Sequence, residues 1–303
     1  MLARGVGRAI ERHSDLFHPF NGMRAEFAAV DFNFGNLESP VAGEDLEPRG
    51  WMVFNTKLAH ISGLSEFNFK IVNLANNHAL DQGFNGLENT WKVLDQRGIR
   101  HIGTGAHLDS AWQSKIVVAN RIRFGFIGAS YTSLKNRGKT RNDYVARIDD
   151  LVRLERSIQN ALPTSDFLVV TMHAGREYTR KPNLAQIDFA RRAIDAGADM
   201  VIGAHPHWIQ TIETYKGKPI FYSLGNFIFD QRKPGTNEGL MLKIKVRRTE
   251  SRNSSVTVLE RIDLLPVIIE KSVPRRATEA ESTRILNKIG YETGVIVPHN
   301  LLN

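Results

Sequence analysis

Apolar runs of strand length alternate with helix-like stretches through the middle of the chain, and this alternation constrains the fold more than any other feature. The run FKIVNL (residues 69–74) is followed by GLENTWKVLDQRG (residues 86–98), in which Leu87, Trp91 and Leu94 share one helical face. Beyond residue 199 the strand-like segments follow one another directly. Early β/α alternation followed by consecutive strands is typical of α/β layers around a mainly buried sheet, so we predict an α/β fold.

Capping residues mark the ends of two further helices. Asn183 and Gln186 have capping-box spacing at the start of NLAQIDFARRAIDAG, and Gly197 can end that helix. Thr278 and Glu281 have the same spacing in TEAESTRILNKIG. These residues predict one helix in the middle of the chain and a short surface helix near its end.

Composition limits the chemistry that the chain can perform. Cysteine is absent from the 303 residues, so any metal must be bound by His, Asp, Glu or Asn side chains. The net charge of +8 suits an acidic partner such as nucleic acid, anionic lipid or a polyanionic polymer. The alternative is a merely solvated basic surface, because the basic residues are scattered along the chain. No apolar run approaches the ~20 residues of a membrane span, and we expect neither an export signal nor an anchor in the chain as given.

Polar side chains collect where the apolar runs stop. Ten of them follow five such runs: Glu38, Asn76, Asn77, His78, Asp81, His173, Glu177, His205, His207 and Asn226. Ligands of α/β sheets gather in the loops beyond the carboxyl ends of the strands, so these side chains can converge. Pro206 disfavours a regular strand through His205 and His207, which would let each histidine bind a different ion.

Metal-dependent hydrolysis is the chemistry that this set of residues favours. Imidazole nitrogens with carboxylate and amide oxygens suit divalent zinc, iron or manganese. Two such ions ~3.5–4 Å apart can share a carboxylate and direct a hydroxide at phosphorus. Each residue alone has a simpler interpretation, since a single histidine at a strand end is usually an ordinary hydrogen-bonded residue and Asn-Asn-His can be a turn. Their occurrence together at four strand ends favours a metal site.

Five motifs resemble those of the CapA-type capsule, or poly-γ-glutamate, biosynthesis proteins, which are similar to the calcineurin-like metallophosphatase superfamily. They are NLESP, ANNHALDQG, HAGREY, GADMVIGAHPHWIQ and GKPIFYSLGNF. Their order and spacing match the family from residue 1 to about residue 269. The resemblance implies a four-layer α/β sandwich with a dinuclear metal centre. We expect a single domain over residues 1–303, in which residues 270–303 are a C-terminal extension with a short helix.

The resemblance also implies which residues bind the metals. Glu38 takes the place of the carboxylate that bridges the two ions. Asn77, His173 and His205 are implied as ligands of the second ion. His207 is implied as a ligand of the first ion.

The remaining residues have supporting or catalytic roles in the family. His78 matches the catalytic residue that orients or protonates the phosphate and its leaving group. Asn76 and Asp81 are implied as supports behind the ligands. Glu177 and Asn226 are implied as residues that line the pocket.

The chain departs from the family pattern at its start. Family members carry a strand ending in Gly-Asp before an ML-x-R segment, and this Asp is a first-metal ligand, whereas this chain opens at MLARGVGR. We therefore expect the first strand and its Asp to be missing, either because Met1 is an internal methionine or because the protein lacks the ligand. Asp15 and His18 lie nearby, and we expect them to be helix or loop residues. With Glu38 and His207 alone left for the first ion, we predict that one metal binds better than two and that hydrolysis is weak.

Two functions follow as hypotheses. The first is a metal-dependent phosphoester hydrolase in capsule or polyglutamate production, supported by the ligands. The second is a non-catalytic polymer-binding subunit of the synthesis and export machinery, supported by the missing ligand and the basic charge. Expected partners are an anionic polymer or phosphoester substrate and membrane-bound capsule synthesis proteins. Nucleic acid is not an expected partner, because only the isoelectric point supports it. The resemblance implies action at the outer face of a membrane.

Overall fold

The structure, a computed structural model, describes residues 1–43, 52–131, 143–250, 255–291 and 294–296. Its strands form three sheets. A parallel sheet in the order β1-β2-β3 contains β1 (Asn33–Asn36), β2 (Phe69–Asn73) and β3 (Arg100–Ile102). Among the described residues no strand precedes β1, which is an edge strand of this sheet.

The largest sheet has six strands in the order β4-β5-β6-β7-β9-β8. They are β4 (Lys115–Ala119), β5 (Ile122–Ser130), β6 (Phe167–His173), β7 (Met200–Ala204), β8 (Ile212–Tyr215) and β9 (Lys218–Phe221). The four strands β5, β6, β7 and β9 are parallel, and the outer strands β4 and β8 are antiparallel to their neighbours.

The third sheet is antiparallel and dominated by one long hairpin. Its strands are β10 (Glu238–Glu250), β11 (Ser255–Glu270), β12 (Val273–Arg276) and β13 (Val295–Ile296). The helices are α1 (Arg4–His13), α2 (Arg24–Ala28), α3 (Ser62–Glu66), α4 (Gly83–Asp95), α5 (Leu108–Ala111), α6 (Leu151–Ala161), α7 (Leu184–Ala196) and α8 (Glu279–Asn287). Short 3-10 helices occupy His18–Met23, Leu58–Ile61 and Leu162–Thr164.

Strand alternation places a separate core on each face of the six-stranded sheet. Along β6, Leu168 and Val170 pack with residues of α6 and α7, whereas the intervening Val169 joins the core on the opposite face. That opposite core also contains Ile71 of β2 and Leu264 of β11. Because successive side chains of a strand point to opposite faces, the six-stranded sheet lies between helices and the other two sheets.

The other two sheets carry helices on their outer side. Val72 of β2 and Val267 of β11 turn away from the six-stranded sheet and pack in a core shared with Val6 of α1 and Leu87 of α4. The layer order is therefore helix, sheet, sheet, helix. This order confirms the predicted four-layer α/β sandwich.

The predicted capping residues occupy the helix ends. Asn183 and Gln186 form a reciprocal capping box at the start of α7, and Gly197 ends that helix with φ of 120°. Thr278 and Glu281 form the same motif at α8. Residues 292–293 and 297–303 of the predicted C-terminal extension lie outside the described residues. No helix of the described ranges is long and apolar enough to cross a membrane.

Candidate metal centre

The predicted site residues come from the carboxyl ends of parallel strands. Glu38 follows β1, Asn77 follows β2, His173 is the last residue of β6, and His205 directly follows β7. β7 ends at Ala204, as the proline after His205 predicted. His205 and His207 have φ of 102° and 59°, values that non-glycine residues rarely adopt. Such backbone strain concentrates at functional sites, where the surrounding fold holds it in place.

The four residues predicted to bind the second ion meet around one nitrogen. Nε2 of His173 lies 2.8 Å from Oδ1 of Asn77 and 3.2 Å from Nδ1 of His205. The same nitrogen is 3.8 Å from Oε1 of Glu38. These contacts join residues that are 96 and 32 positions apart in the sequence, because the strands that carry them end next to one another. The fold brings together the residues that the resemblance assigned to one ion.

The polar atoms of this cluster lack sufficient hydrogen-bond donors. Oε1 of Glu38 is buried and has no hydrogen-bond partner, and the same is true of Nδ1 of His173. The oxygens of Asn77 and Glu38 accept only, and a neutral imidazole carries one proton. A cation lying among the four atoms would satisfy lone pairs that the protein leaves unpaired, so their chemistry fits a divalent ion.

The ligands are close together without forming a complete ligand shell. The described ranges contain no assembled group of three or more His, Cys, Asp or Glu side chains that could hold a metal ion. One of the four neighbours is an amide, and Glu38 is farther from His173 than Asn77 and His205 are.

Burial keeps the two histidines neutral. It lowers the pKa of His173 well below its usual value, and it lowers the pKa of His205 to about 3. The charges of neighbouring histidines, including His78 and His207, act in the same direction. Neutral imidazole is the form that binds a metal ion, so both side chains are prepared for ligation at neutral pH.

His207 is oriented by Asn226. Nδ1 of His207 lies 2.9 Å from Oδ1 of Asn226. The amide nitrogen of Asn226 donates to Gln231 and to the carbonyl of Thr236, so its oxygen faces His207 and accepts a hydrogen bond from Nδ1. This contact fixes the tautomer and leaves Nε2 of His207 with a free lone pair.

His78 is held by a carboxylate and an aromatic ring. Nδ1 of His78 donates to Oδ2 of Asp81 over 2.7 Å, and the backbone nitrogen of Phe54 donates to the same oxygen over 2.6 Å. The ring of Phe54 stacks on His78 with centroids 3.8 Å apart. Asp81 therefore fixes the tautomer of His78, and Nε2 is the nitrogen left for chemistry.

Asn76 connects the two loops that carry Glu38 and His78. Its side-chain nitrogen donates to the carbonyl of Leu37, and its oxygen accepts from the backbone nitrogen of His78. The predicted supporting role of Asn76 therefore has a direct geometric basis.

Glu177 is adjacent to Tyr178, which contacts the predicted ligand His207. Its carboxylate acts on Tyr178, whose pKa is raised by burial and then by the charge of Glu177. Tyr178 stacks on His207 with ring centroids 5.9 Å apart. Glu177 thus reaches the site through Tyr178.

Asp15 and His18 are loop and helix residues, as expected. Asp15 accepts hydrogen bonds from the backbone of Phe17 and the side chain of Asn21. His18 begins a 3-10 helix and stacks on His13. These contacts account for both side chains without a metal.

Three aromatic contacts of the site were absent from the sequence-based prediction. Phe54 stacks on His78, Tyr178 stacks on His207, and Tyr131 lies with its ring centroid 4.5 Å from that of His205. Tyr178 stands beside Glu177 in the HAGREY motif and was open to prediction from its position. Phe54 and Tyr131 lie in no motif that marks them.

Comparison with known proteins assigns the chain to a family. Residues 1–231 match the family model described as bacterial capsule synthesis protein PGA_cap. The PGA biosynthesis protein CapA of Bacillus subtilis (strain 168) is 30% identical over 263 residues, which cover 86% of this chain and 69% of that protein. The capsule biosynthesis protein CapA of Bacillus anthracis is 27% identical over 302 residues, covering 97% of this chain and 71% of that protein.

Solved structures show a weaker likeness. The 5'-nucleotidase precursor from Thermus thermophilus has a TM-score of 0.43 at 16% identity, over 85% of this chain and 46% of that chain. A likeness at this level is no evidence of shared activity. The match over residues 1–231 shows that this chain belongs to the bacterial capsule synthesis protein family PGA_cap.

Proposed function

We propose that the chain is a metal-dependent hydrolase of phosphoester-type bonds that acts in the production of capsule or polyglutamate polymer. Glu38, Asn77, His173 and His205 bind one divalent ion, which is manganese, iron or zinc. The observation that carries this proposal is the convergence of their four polar atoms on His173, with Oε1 of Glu38 buried and unpaired.

Each side chain has a distinct task in this proposal. A divalent ion bound here would activate a water molecule and polarise a phosphoryl oxygen. Nε2 of His78 exchanges a proton with the oxygen of the leaving group, because Asp81 already occupies Nδ1. Asn226 holds Nδ1 of His207 and leaves Nε2 with a lone pair that binds a second, weaker ion.

Hydrolysis of an activated phosphodiester tests the proposal. Bis(p-nitrophenyl) phosphate is supplied with manganese, zinc or iron, and the rate is compared for wild type, His78→Ala and the exposed-site control His13→Ala. We expect a rate that disappears on chelation and on His78→Ala but survives His13→Ala. A rate that persists in excess chelator, or that is equal in wild type and His78→Ala, would falsify the proposal.

A non-catalytic, polymer-binding role is the second candidate. It is supported by the net charge of +8, which suits an anionic polymer. In that role the chain binds the anionic polymer and contacts membrane-bound synthesis proteins. Binding of polyglutamate that survives both chelation and His205→Ala, together with no metal-dependent hydrolysis, supports this candidate over the first.

A further inference from the structure

Two loops beside the candidate metal centre carry a group of basic side chains. The loop after β6 contains Arg176, Arg180 and Lys181, and the loop before β10 contains Arg232 and Lys233. We call these five residues the basic rim. Four of them are exposed, and Arg180 is partly buried.

The basic rim is in contact with the site through Tyr178. Nζ of Lys233 lies 3.5 Å from the centre of the Tyr178 ring, and that ring stacks on His207. The backbone nitrogen of Tyr178 donates to the carbonyl of Pro206 over 2.8 Å. Charge on the rim is therefore one aromatic ring away from His207.

Contacts between the two loops hold the rim in place. The guanidinium of Arg180 lies 4.8 Å from the centre of the Trp208 ring and donates to the carbonyl of Ile209 over 3.1 Å. Nε1 of Trp208 donates to the carbonyl of Pro234 in the other loop over 3.1 Å. Because these contacts already connect the two loops, ligand binding would order little additional backbone.

The five rim bases outnumber the acids near them, which are Glu177 in the first loop, Glu238 and Asp230. Arg176, Lys181, Arg232 and Lys233 form no ion pair with another described residue. Arg180 lies 3.7 Å from Glu238, but that buried carboxylate is also paired with Arg284 and Lys288. Asp230, which lies in the second loop, is paired with Arg4. A concentrated positive charge of this kind attracts a multiply charged anion.

We propose that the basic rim binds a flexible chain bearing repeated carboxylates and holds it beside His207. This inference rests on the proposed function for its role at the centre, although the binding itself requires no metal. Bases spread over two loops match a row of separate charges better than a single phosphate. Nucleic acid fits less well, because Tyr178 and Trp208 already engage His207, Lys233 and Arg180 with their rings, and stacked bases need free ring faces.

Binding of poly-γ-glutamate in excess chelator tests this proposal. The rim variant Arg232→Gln/Lys233→Gln is compared with Arg100→Gln/Arg156→Gln, which removes the same charge from exposed residues away from the site. We expect the rim variant to bind about tenfold more weakly at low salt, with a shallower salt dependence, and the control to stay within about twofold of wild type. Circular dichroism confirms folding of each variant.

Other outcomes overturn the proposal. They are the absence of wild-type binding, equal weakening in the two double variants, or tighter and equally rim-dependent binding of single-stranded poly(dT). The metal content of each protein, measured separately, distinguishes the two proposals. A protein that binds no metal but shows rim-dependent polymer binding would contradict the proposed hydrolase function and leave the polymer-binding proposal intact.

Discussion

At the scale of single residues, His78 has the most completely defined surroundings. Asp81 holds Nδ1, Phe54 covers the ring, and Asn76 holds the backbone nitrogen. All three contacts restrain orientation without touching the proposed ligands of the ion. The orientation of His78 and the binding of metal should therefore be separable by mutation.

Asp81→Asn separates these two properties. We expect the rate of phosphodiester hydrolysis to fall by about 10² to 10⁴, because the amide no longer selects the tautomer that leaves Nε2 available. The metal content should stay unchanged, as should both properties in the exposed control Asp195→Asn. Loss of metal together with activity would show that Asp81 acts on the ligands instead.

Glu38→Gln should remove metal binding without lowering the stability of the metal-free protein. In the metal-free protein Oε1 of Glu38 is buried without a partner, and such a group costs about 1–3 kcal/mol. We expect the variant to be at least as stable as wild type in chelator, by urea denaturation. Adding manganese or zinc should stabilise wild type and leave Glu38→Gln unchanged. A metal-dependent gain of equal size in both proteins would contradict the assignment of Glu38 as a ligand.

His101 makes stability depend on pH. Burial lowers its pKa to about 4, whereas the unfolded chain has a value near 6.5. Between these values only the unfolded state takes up the proton, so stability falls as the pH drops from about 6.5 to about 4. The expected loss is about 3 kcal/mol. His101→Leu should lose correspondingly less stability than wild type over this interval, as followed by urea denaturation; identical slopes would show that His101 is solvated.

At the scale of helices and strands, the sequence was most informative where local chemistry decides the structure. Asn183 with Gln186 and Thr278 with Glu281 were recognisable as capping boxes, because each motif satisfies backbone groups within four residues. The polar residues at strand ends were recognisable because they directly follow apolar runs in the sequence. The contacts of Phe54 were not, because its loop meets His78 only through tertiary packing.

The distances within the site were equally beyond the sequence. The motifs identified Glu38, Asn77, His173 and His205, and the fold brings all four together. The 3.8 Å separation of Glu38 from His173 depends on side-chain packing between separate loops, which no spacing encodes. The assignment of these residues to a metal stays a prediction, as does the single-domain organisation.

The attachment of α8 depends on one buried carboxylate. Glu238 at the start of β10 is only 3% exposed and is paired with Arg284 and Lys288 of the C-terminal segment and with Arg180 of the site loop. Glu238→Gln should lower the free energy of unfolding by about 2 kcal/mol, because these charge-assisted hydrogen bonds are lost. The matched control Glu260→Gln, whose partners are exposed, should cost clearly less, because exposed ion pairs contribute little to stability. Equal costs, measured by urea denaturation, would show that Glu238 does not fix α8.

At the scale of the whole molecule, the site depends on two sheets at once. The three-stranded sheet supplies Glu38 and Asn77, and the six-stranded sheet supplies His173 and His205. The core between the sheets, which includes Ile71 and Val169, sets the distance between the two pairs of residues. A bound ion would link the sheets and stabilise the whole fold by preferential binding to the native state.

Metal stoichiometry tests the central claim most directly. Wild type, Asn77→Ala and the control Asn89→Ala are equilibrated with manganese, zinc or iron, freed of excess metal and measured by elemental analysis. We predict about one ion per chain for wild type and the control, and a large loss for Asn77→Ala with the fold retained by circular dichroism. Wild type that retains no ion, or Asn77→Ala that retains as much as wild type, would contradict a metal centre built on Glu38, Asn77, His173 and His205.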